Sequence, residues 1–253
     1  MKYALVTGAS SGMGREFAVQ IAESGEYDRV IVIARRADRL AQLADKYGEK
    51  IVPLALDLTD EGSFEILGEK LRSENIALSL LVAAAGLGKY GSFAGLSEQN
   101  CELMVNINVL GLMRTVRTAL ENFEDGGRII LLGSQSAFQP LPYFCMYAST
   151  KAFVVHFGRA LNVELKERGI SVTTVCPGYV QTEFFEVAAK SEMPDACTNF
   201  KPMYSPVDVV RKALKDSKKG KDMSVLGVYV KFMRLLAKLL PHSVMMRGWL
   251  KMK

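Results

Sequence analysis

The stretch Lys2-Tyr3-Ala4-Leu5-Val6-Thr7-Gly8-Ala9-Ser10-Ser11-Gly12-Met13-Gly14 decides the fold. Lys2 to Thr7 reads as a short buried strand, and Gly8, Gly12 and Gly14 follow at once, before a helical pattern of Phe17, Ile21 and Ala22. Glycine lets the backbone turn sharply and approach a diphosphate with no Cβ in the way, while the amides that open the next helix point toward negative charge. A glycine triplet alone is a weak signal. Here its spacing is TGxxxGxG rather than GxGxxG, and it stands between a strand and a helix, as phosphate binding requires.

Outward from this turn the pattern repeats. Strands are expected at Val30 to Ala34, Ile51 to Leu56, Leu78 to Ala83, Arg128 to Leu132 and Ile170 to Val175. Helices are expected between them at Leu40 to Tyr47, 60–74, Asn100 to Phe123 and Tyr147 to Arg168. Such alternation demands a parallel sheet covered on both faces, because every crossover needs a helix. The expectation is a single-domain α/β protein with a doubly wound, Rossmann-like parallel sheet and ligands at the carboxyl ends of its strands. The body is expected over 1–227, with a substrate loop at about 183–206, and a helical tail over 228–253.

The chain has 253 residues, 49% apolar and 23% charged, which suits one large globular core and excludes disordered or collagen-like sequence. No run of about 18 uncharged apolar residues occurs. No cleavable leader is expected, and a cytoplasmic location is the default. Cys101, Cys145, Cys176 and Cys197 form no CxxC pair, and the histidines are His156 and His242, so neither a metal site nor a disulfide framework is expected. His156, among Phe153, Val154 and Phe157, is expected to be packed and without catalytic part. The net charge of +5 hides an asymmetry: residues 1–210 hold 20 Lys and Arg against 25 Asp and Glu, whereas residues 211–253 hold 12 against 2.

The end of the second strand bears on which dinucleotide fits. A carboxylate there suits the ribose 2′-hydroxyl, whereas a 2′-phosphate needs cationic donors. The strand ends Ile33-Ala34-Arg35-Arg36, with no acid before Asp38, and arginine offers a planar charged fork for phosphate. NADP is therefore favoured over NAD. The alternative is that Arg35 and Arg36, the latter in particular, only open a solvated helix.

Tyr147-Ala148-Ser149-Thr150-Lys151 opens a helix, so the phenol and the ammonium, four residues apart, project from one face. Ser134 stands 13 residues before the tyrosine, at the end of the fifth strand. With the glycine turn, this arrangement resembles the short-chain dehydrogenase/reductase family over roughly residues 1–182. The chemistry of the residues agrees. Reducing a ketone needs a hydride and a proton, and a free tyrosine near pKa 10 is a poor acid. An ammonium about 5 Å away, at an effective dielectric near 20, favours the phenolate by roughly 3 kcal/mol.

The resemblance implies a catalytic set of Asn108, Ser134, Tyr147 and Lys151. In the family the serine holds the substrate oxygen, the lysine also bonds the nicotinamide ribose, and the asparagine holds a water that relays protons. Asn108 belongs to the segment Asn108-Val109-Leu110-Gly111; Asn106 is its second choice, and Ser136 is the rival to Ser134. Cofactor contacts are implied for Gly8, Ser10, Ser11, Gly12, Met13 and Gly14 in the turn, for Arg35 and Arg36, and for Asp57 and Leu58 after the third strand. They are implied as well for Tyr147 and Lys151, and for Pro177, Gly178, Val180 and Thr182 of the segment Pro177-Gly178-Tyr179-Val180-Gln181-Thr182. After the fourth strand the family usually carries NNAG or NAG. This chain has Ala83-Ala84-Ala85-Gly86, so Ala84, Ala85 and Gly86 are expected at the cofactor with another group supplying the missing bonds, or with packing alone holding the turn.

Segments above the strand ends are apolar and aromatic: Tyr90 and Phe93, Leu141 to Phe144 within 138–146, then Phe184, Phe185, Met203 and Tyr204. They favour a lipophilic ketone or alcohol, such as a steroid or a 3-oxoacyl group, over a sugar, although part of the set is expected to pack a lid or a subunit contact. The tail alternates apolar and cationic residues with a break at Pro241. It is expected to cover the pocket or a partner subunit; the alternative is peripheral contact with an anionic membrane, whereas nucleic acid is not expected. The functional expectation is an NADP(H)-dependent carbonyl reductase or alcohol dehydrogenase of hydroxysteroid dehydrogenase type, assembled as a homodimer or homotetramer. The alternative is a non-catalytic dinucleotide-binding redox sensor.

Overall fold

Side-chain alternation along the strands sorts the core into two apolar layers. The structure, a computed structural model, describes residues 1–252. In β1 (Tyr3–Thr7) Leu5 enters one layer while Ala4 and Val6 enter the other. After α1 (Gly12–Glu23), β2 (Arg29–Ala34) divides likewise, with Ile31 and Ile33 on the first side and Val30 and Val32 on the second. Both faces are therefore covered, the arrangement that a parallel sheet with helical crossovers demands.

The chain continues through α2 (Ala37–Tyr47), β3 (Ile51–Ala55), α3 (Gly62–Ser73), β4 (Leu78–Ala83), α4 (Glu98–Val105), α5 (Leu112–Leu120), β5 (Phe123–Leu132) and α6 (Cys145–Glu164). Next come β6 (Ser171–Val175), β7 (Tyr179–Val180), α7 (Phe184–Ala189), β8 (Met203–Tyr204), α8 (Pro206–Lys218) and β9 (Met223–Ser224), then the tail helices α9 (Val228–Leu239) and α10 (His242–Met252). Seven strands form one parallel sheet in the order β3-β2-β1-β4-β5-β6-β9. The chain leaves β1 in one direction for β2 and β3 and in the other for β4 onward. That reversal opens a crevice above the ends of β1 and β4. The doubly wound, single-domain α/β reading and its helical extension stand.

Three local expectations change. The helix read over 100–123 is two helices joined by a π-helical segment, Asn106–Gly111, and it stops at Leu120. The fifth strand starts at Phe123 rather than Arg128, because the amide of Leu78 already bonds the Asn122 carbonyl and Leu78 pairs with Phe123. The two-residue strands β7, β8 and β9 were not expected, since two residues carry no readable period. Among the described residues no helix is long and apolar enough to cross a membrane.

Candidate active site

A cleft of about 400 Å³ runs along the strand ends from the glycine turn to the tail helices. Gly8 (φ +69°) and Gly12 (φ +52°) take backbone conformations that disfavour side chains. A Cβ on Gly14 would fall 2.3 Å from the Gly8 carbonyl oxygen, and one on Gly8 would fall 2.9 Å from the Cα of Ala85. The turn is thus wound against itself and against the segment after β4. That segment lacks the family's asparagine, and its backbone is tied to β1 instead of being held by packing alone: the Thr7 hydroxyl accepts from the amides of Ala84 (3.1 Å) and Ala85 (3.2 Å). Bare backbone here makes a cradle that fits a diphosphate, and any side chain would fill it.

At the outer end the Arg36 guanidinium donates to the hydroxyls of Ser10 (2.9 Å) and Ser11 (2.7 Å). It also reaches the Glu183 carboxylate at 3.3 Å, which Arg39 holds at 2.6 Å. The bonds from Arg39, then Arg36, hold the Glu183 carboxyl below the usual carboxylate range. Arg36 thus caps the start of α2 with an exposed side chain and is at the same time bonded to Ser10, Ser11 and Glu183. Arg35 lines the cleft with its side chain largely exposed, 3.8 Å from Asp57. Asp57 does not line the cleft among the described residues, and one of its carboxylate oxygens accepts from the Thr59 amide and hydroxyl. Leu58 beside it does line the cleft.

At the inner end α6 carries Tyr147 and Lys151, both buried. Tyr147 and Ser134 both line the cleft, and the Lys151 Nζ donates to the Leu132 carbonyl at 2.7 Å. The expected acid-strengthening of the phenol by the ammonium is not seen. Burial raises Tyr147, partly offset by the neighbouring Ser134 hydroxyl, and lowers Lys151 to about 8. The Lys151 Nζ lies 5.7 Å from the Tyr147 ring centre. Ser136 also lines the cleft, and its amide donates to the Ser134 hydroxyl (3.1 Å).

Asn108 is fully buried beneath this pair. Its carboxamide accepts from the Leu87 amide (2.9 Å) and donates to the Leu87 carbonyl (2.8 Å) and to the Thr150 hydroxyl (3.0 Å). The side chain thus braces the strand-end segment against α6 and has no donor to spare for a water. Gly86 is in contact with both Asn108 and Lys151, since a Cβ on it would meet the Asn108 Oδ1 at 2.9 Å and the Lys151 Nζ at 3.3 Å. Asn106 lies apart, in a shallow depression with Cys101, Glu102, Val105 and Met146. His156 was expected to be packed and is instead on the solvent side of α6. Among the described residues no group of His, Cys, Asp and Glu could hold a metal ion.

Beyond Tyr147 the cleft is aromatic. Phe144 stacks on Tyr147 at 4.4 Å between ring centres, Phe184 approaches it from the other side at 5.3 Å, and Phe185 packs on Phe200 at 4.5 Å. Tyr90 and Leu141 also line it, as expected, whereas Phe93 and Met203 face solvent. Sequence reasoning missed Tyr179 and Phe200, and it placed the tail only loosely. Tyr229 and Met233 of α9 and Trp249 of α10 line the cleft, and the Trp249 indole donates to the Pro142 carbonyl at 2.8 Å. The remaining expected contacts, Met13, Pro177, Gly178, Val180 and Thr182, line the cleft together with Gly8, Ser10, Ser11 and Gly12.

Comparisons with known proteins follow the same outline. The family model described as short chain dehydrogenase matches residues 2–193. The chain is 29% identical over 197 residues to the oxidoreductase UcpA of Salmonella typhimurium, covering 77% of this chain and 75% of that one. It is also 29% identical over 198 residues to a very-long-chain 3-oxoacyl-CoA reductase of Anas platyrhynchos, covering 75% of this chain and 63% of the relative. Among solved structures, a short-chain dehydrogenase from Sphingobium yanoikuyae in complex with NADPH superposes with a TM-score of 0.79 at 26% identity, covering 97% and 95% of the two chains.

Proposed function

The chain belongs to the short-chain dehydrogenase/reductase family and is an oxidoreductase of that family, and from that premise we propose that it uses NADP(H) to interconvert a lipophilic ketone and its secondary alcohol. One observation carries the reading: Tyr147, with Ser134 beside it, lines a cleft that runs unbroken from the glycine turn to an aromatic wall.

The cradle of Gly8, Gly12 and Gly14 would hold the diphosphate, and Pro177, Gly178, Val180 and Thr182 the nicotinamide end. Arg36, with Ser10 and Ser11, offers the donors that a 2′-phosphate needs, and the NADPH-bound relative supports that choice. The bound nicotinamide supplies or takes the hydride at the carbonyl carbon. Tyr147 gives its phenolic proton to the carbonyl oxygen in reduction and takes it back in oxidation. Its burial keeps the phenol protonated, as a donor must be. Ser134 orients the oxygen, Lys151 offsets phenolate charge as it forms, and Asn108 holds Gly86 and Leu87 in place beside them.

Rings on two sides of Tyr147 support a steroid-like or 3-oxoacyl ketone, and the 3-oxoacyl-CoA reductase relative points the same way. Exposed Phe153 and Val163 on α6 support a homodimer or homotetramer through that helix. The test is NADPH oxidation with steroid ketones and 3-oxoacyl esters. Tyr147→Phe is expected to abolish turnover while NADPH affinity stays within about tenfold. Retained turnover overturns the reading.

A further inference from the structure

Helix α9 turns one apolar face inward and a second one outward. Its inner face carries the buried Val230 and Ala237 and the cleft residues Tyr229 and Met233. Val228, Phe232, Leu235 and Leu239, at positions i, i+4, i+7 and i+11, form a stripe on the opposite side and are 84%, 54%, 52% and 67% exposed. Leucine and phenylalanine in such a row are out of place on a water-facing helix, whose outer face is normally polar.

The charge around the stripe is of one sign. Lys231 and Lys238 flank it along one side, Arg234 beyond them lies over the Phe138 ring at 5.9 Å, and Arg247 and Lys251 stand exposed on α10. No acidic residue follows Asp222 in the sequence, and Asp222 itself is paired with Arg159 at 2.9 Å. Two such faces would repel each other, which disfavours a second copy as the occupant. An apolar row with a cationic margin complements a surface that is apolar beneath and anionic on top.

We propose that the outer face of α9 docks the protein on an anionic phospholipid surface, with Phe232, Leu235 and Leu239 below the headgroups and Lys231 and Lys238 among the phosphates. The inner face of the same helix lines the substrate end of the cleft, so docking sets the cleft beside the lipid phase. That consequence rests on the lipophilic-ketone reading above, whereas the docking itself does not.

The experiment is flotation of the full chain with phosphatidylcholine vesicles, with and without about 30 mol% phosphatidylglycerol, at low salt and at about 0.5 M salt. The expected result is binding to the anionic vesicles that salt weakens, with little binding to phosphatidylcholine alone. The doubly substituted Lys231→Glu/Lys238→Glu chain is expected to lose about 30-fold or more in partitioning. Phe232→Ser/Leu235→Ser is expected to lose a comparable factor by removing the apolar anchor. Neither pair lines the cleft, so melting temperature and NADPH oxidation with a small water-soluble ketone should be unchanged, which separates failed docking from failed catalysis. Absence of binding to anionic vesicles at low salt overturns the proposal. It is equally overturned if the apolar pair abolishes a concentration-dependent dimer instead, or if it leaves vesicle binding intact while duplex DNA competes for the same surface.

Discussion

Replacing Thr7 by valine tests what holds the turn of Ala84 and Ala85 against β1. Valine keeps the shape of threonine and removes only the hydroxyl. That hydroxyl, on a residue 1% exposed, is the acceptor for two amides, those of Ala84 and Ala85. An orphaned buried amide costs about 1–3 kcal/mol; Ala84 is buried and incurs that in full, whereas Ala85 is half-buried and recovers part of its cost from water. The total is about 2–4 kcal/mol, and for a chain of this size each kcal/mol lowers Tm by roughly 2–4 °C, so a fall of about 5–15 °C is expected. Thr7→Ser keeps the oxygen and gives up one methyl, which costs about 1 kcal/mol. Because Ala85 closes over Gly8, the valine chain should also bind NADPH more weakly. Thermal melts and NADPH fluorescence titrations of the two variants decide the matter. If valine and serine melt together, within about 2 °C of the parent, Thr7 does not hold this turn.

Two further outcomes follow from the ends of the cleft. Glu183→Gln removes the carboxylate that engages Arg36 and Arg39; each half-exposed pair is worth about 0.5 kcal/mol, so freeing Arg36 should tighten NADPH about twofold with little change for NADH, and equal shifts in both titrations would refute it. Lys151→Met probes the buried ammonium. With its pKa lowered to about 8 against 10.5 unfolded, the unfolded chain binds more protons between those values, so the parent should gain stability relative to the variant as pH rises from 8 toward 10. Tyr147 acts with the opposite sign only above pH 10, where its unfolded form ionises. A Tm difference between parent and variant that stays flat across pH 8–10 would contradict the burial argument.

The fold was legible because strand and helix periods leave a mark on every element long enough to show them. The glycine turn was legible because Gly8, Gly12 and Gly14 answer to sterics that any sequence must obey. The contribution of Thr7 was not: its hydroxyl acts on Ala84 and Ala85, which are 77 and 78 residues away, and a threonine ending a strand looks like any β-branched residue. Asn108 could be located by spacing, but not its engagement with Leu87 and Thr150, which arises where α6 meets the segment after β4. Tyr179, Phe200 and Trp249 come from three separate segments, and only the folded chain brings them to one wall.

Helix α7 ties the two ends of the cleft together. Glu183 precedes it and is held by Arg36 and Arg39 at the cofactor end, while Phe184 and Phe185 on its first turn face the aromatic pocket. Its far end is held by Lys89, whose Nζ donates to the carbonyls of Val187 and Lys190. Lys89 is 9% exposed, and burial lowers its pKa. Breaking the Lys89 bonds strands a nearly buried ammonium, which costs several kcal/mol, whereas the half-exposed Glu183 pairs cost about 1 kcal/mol together. The Glu183 end is therefore the more weakly held of the two. One short helix thus carries both the acid that engages Arg36 and the Phe184 and Phe185 wall of the substrate pocket.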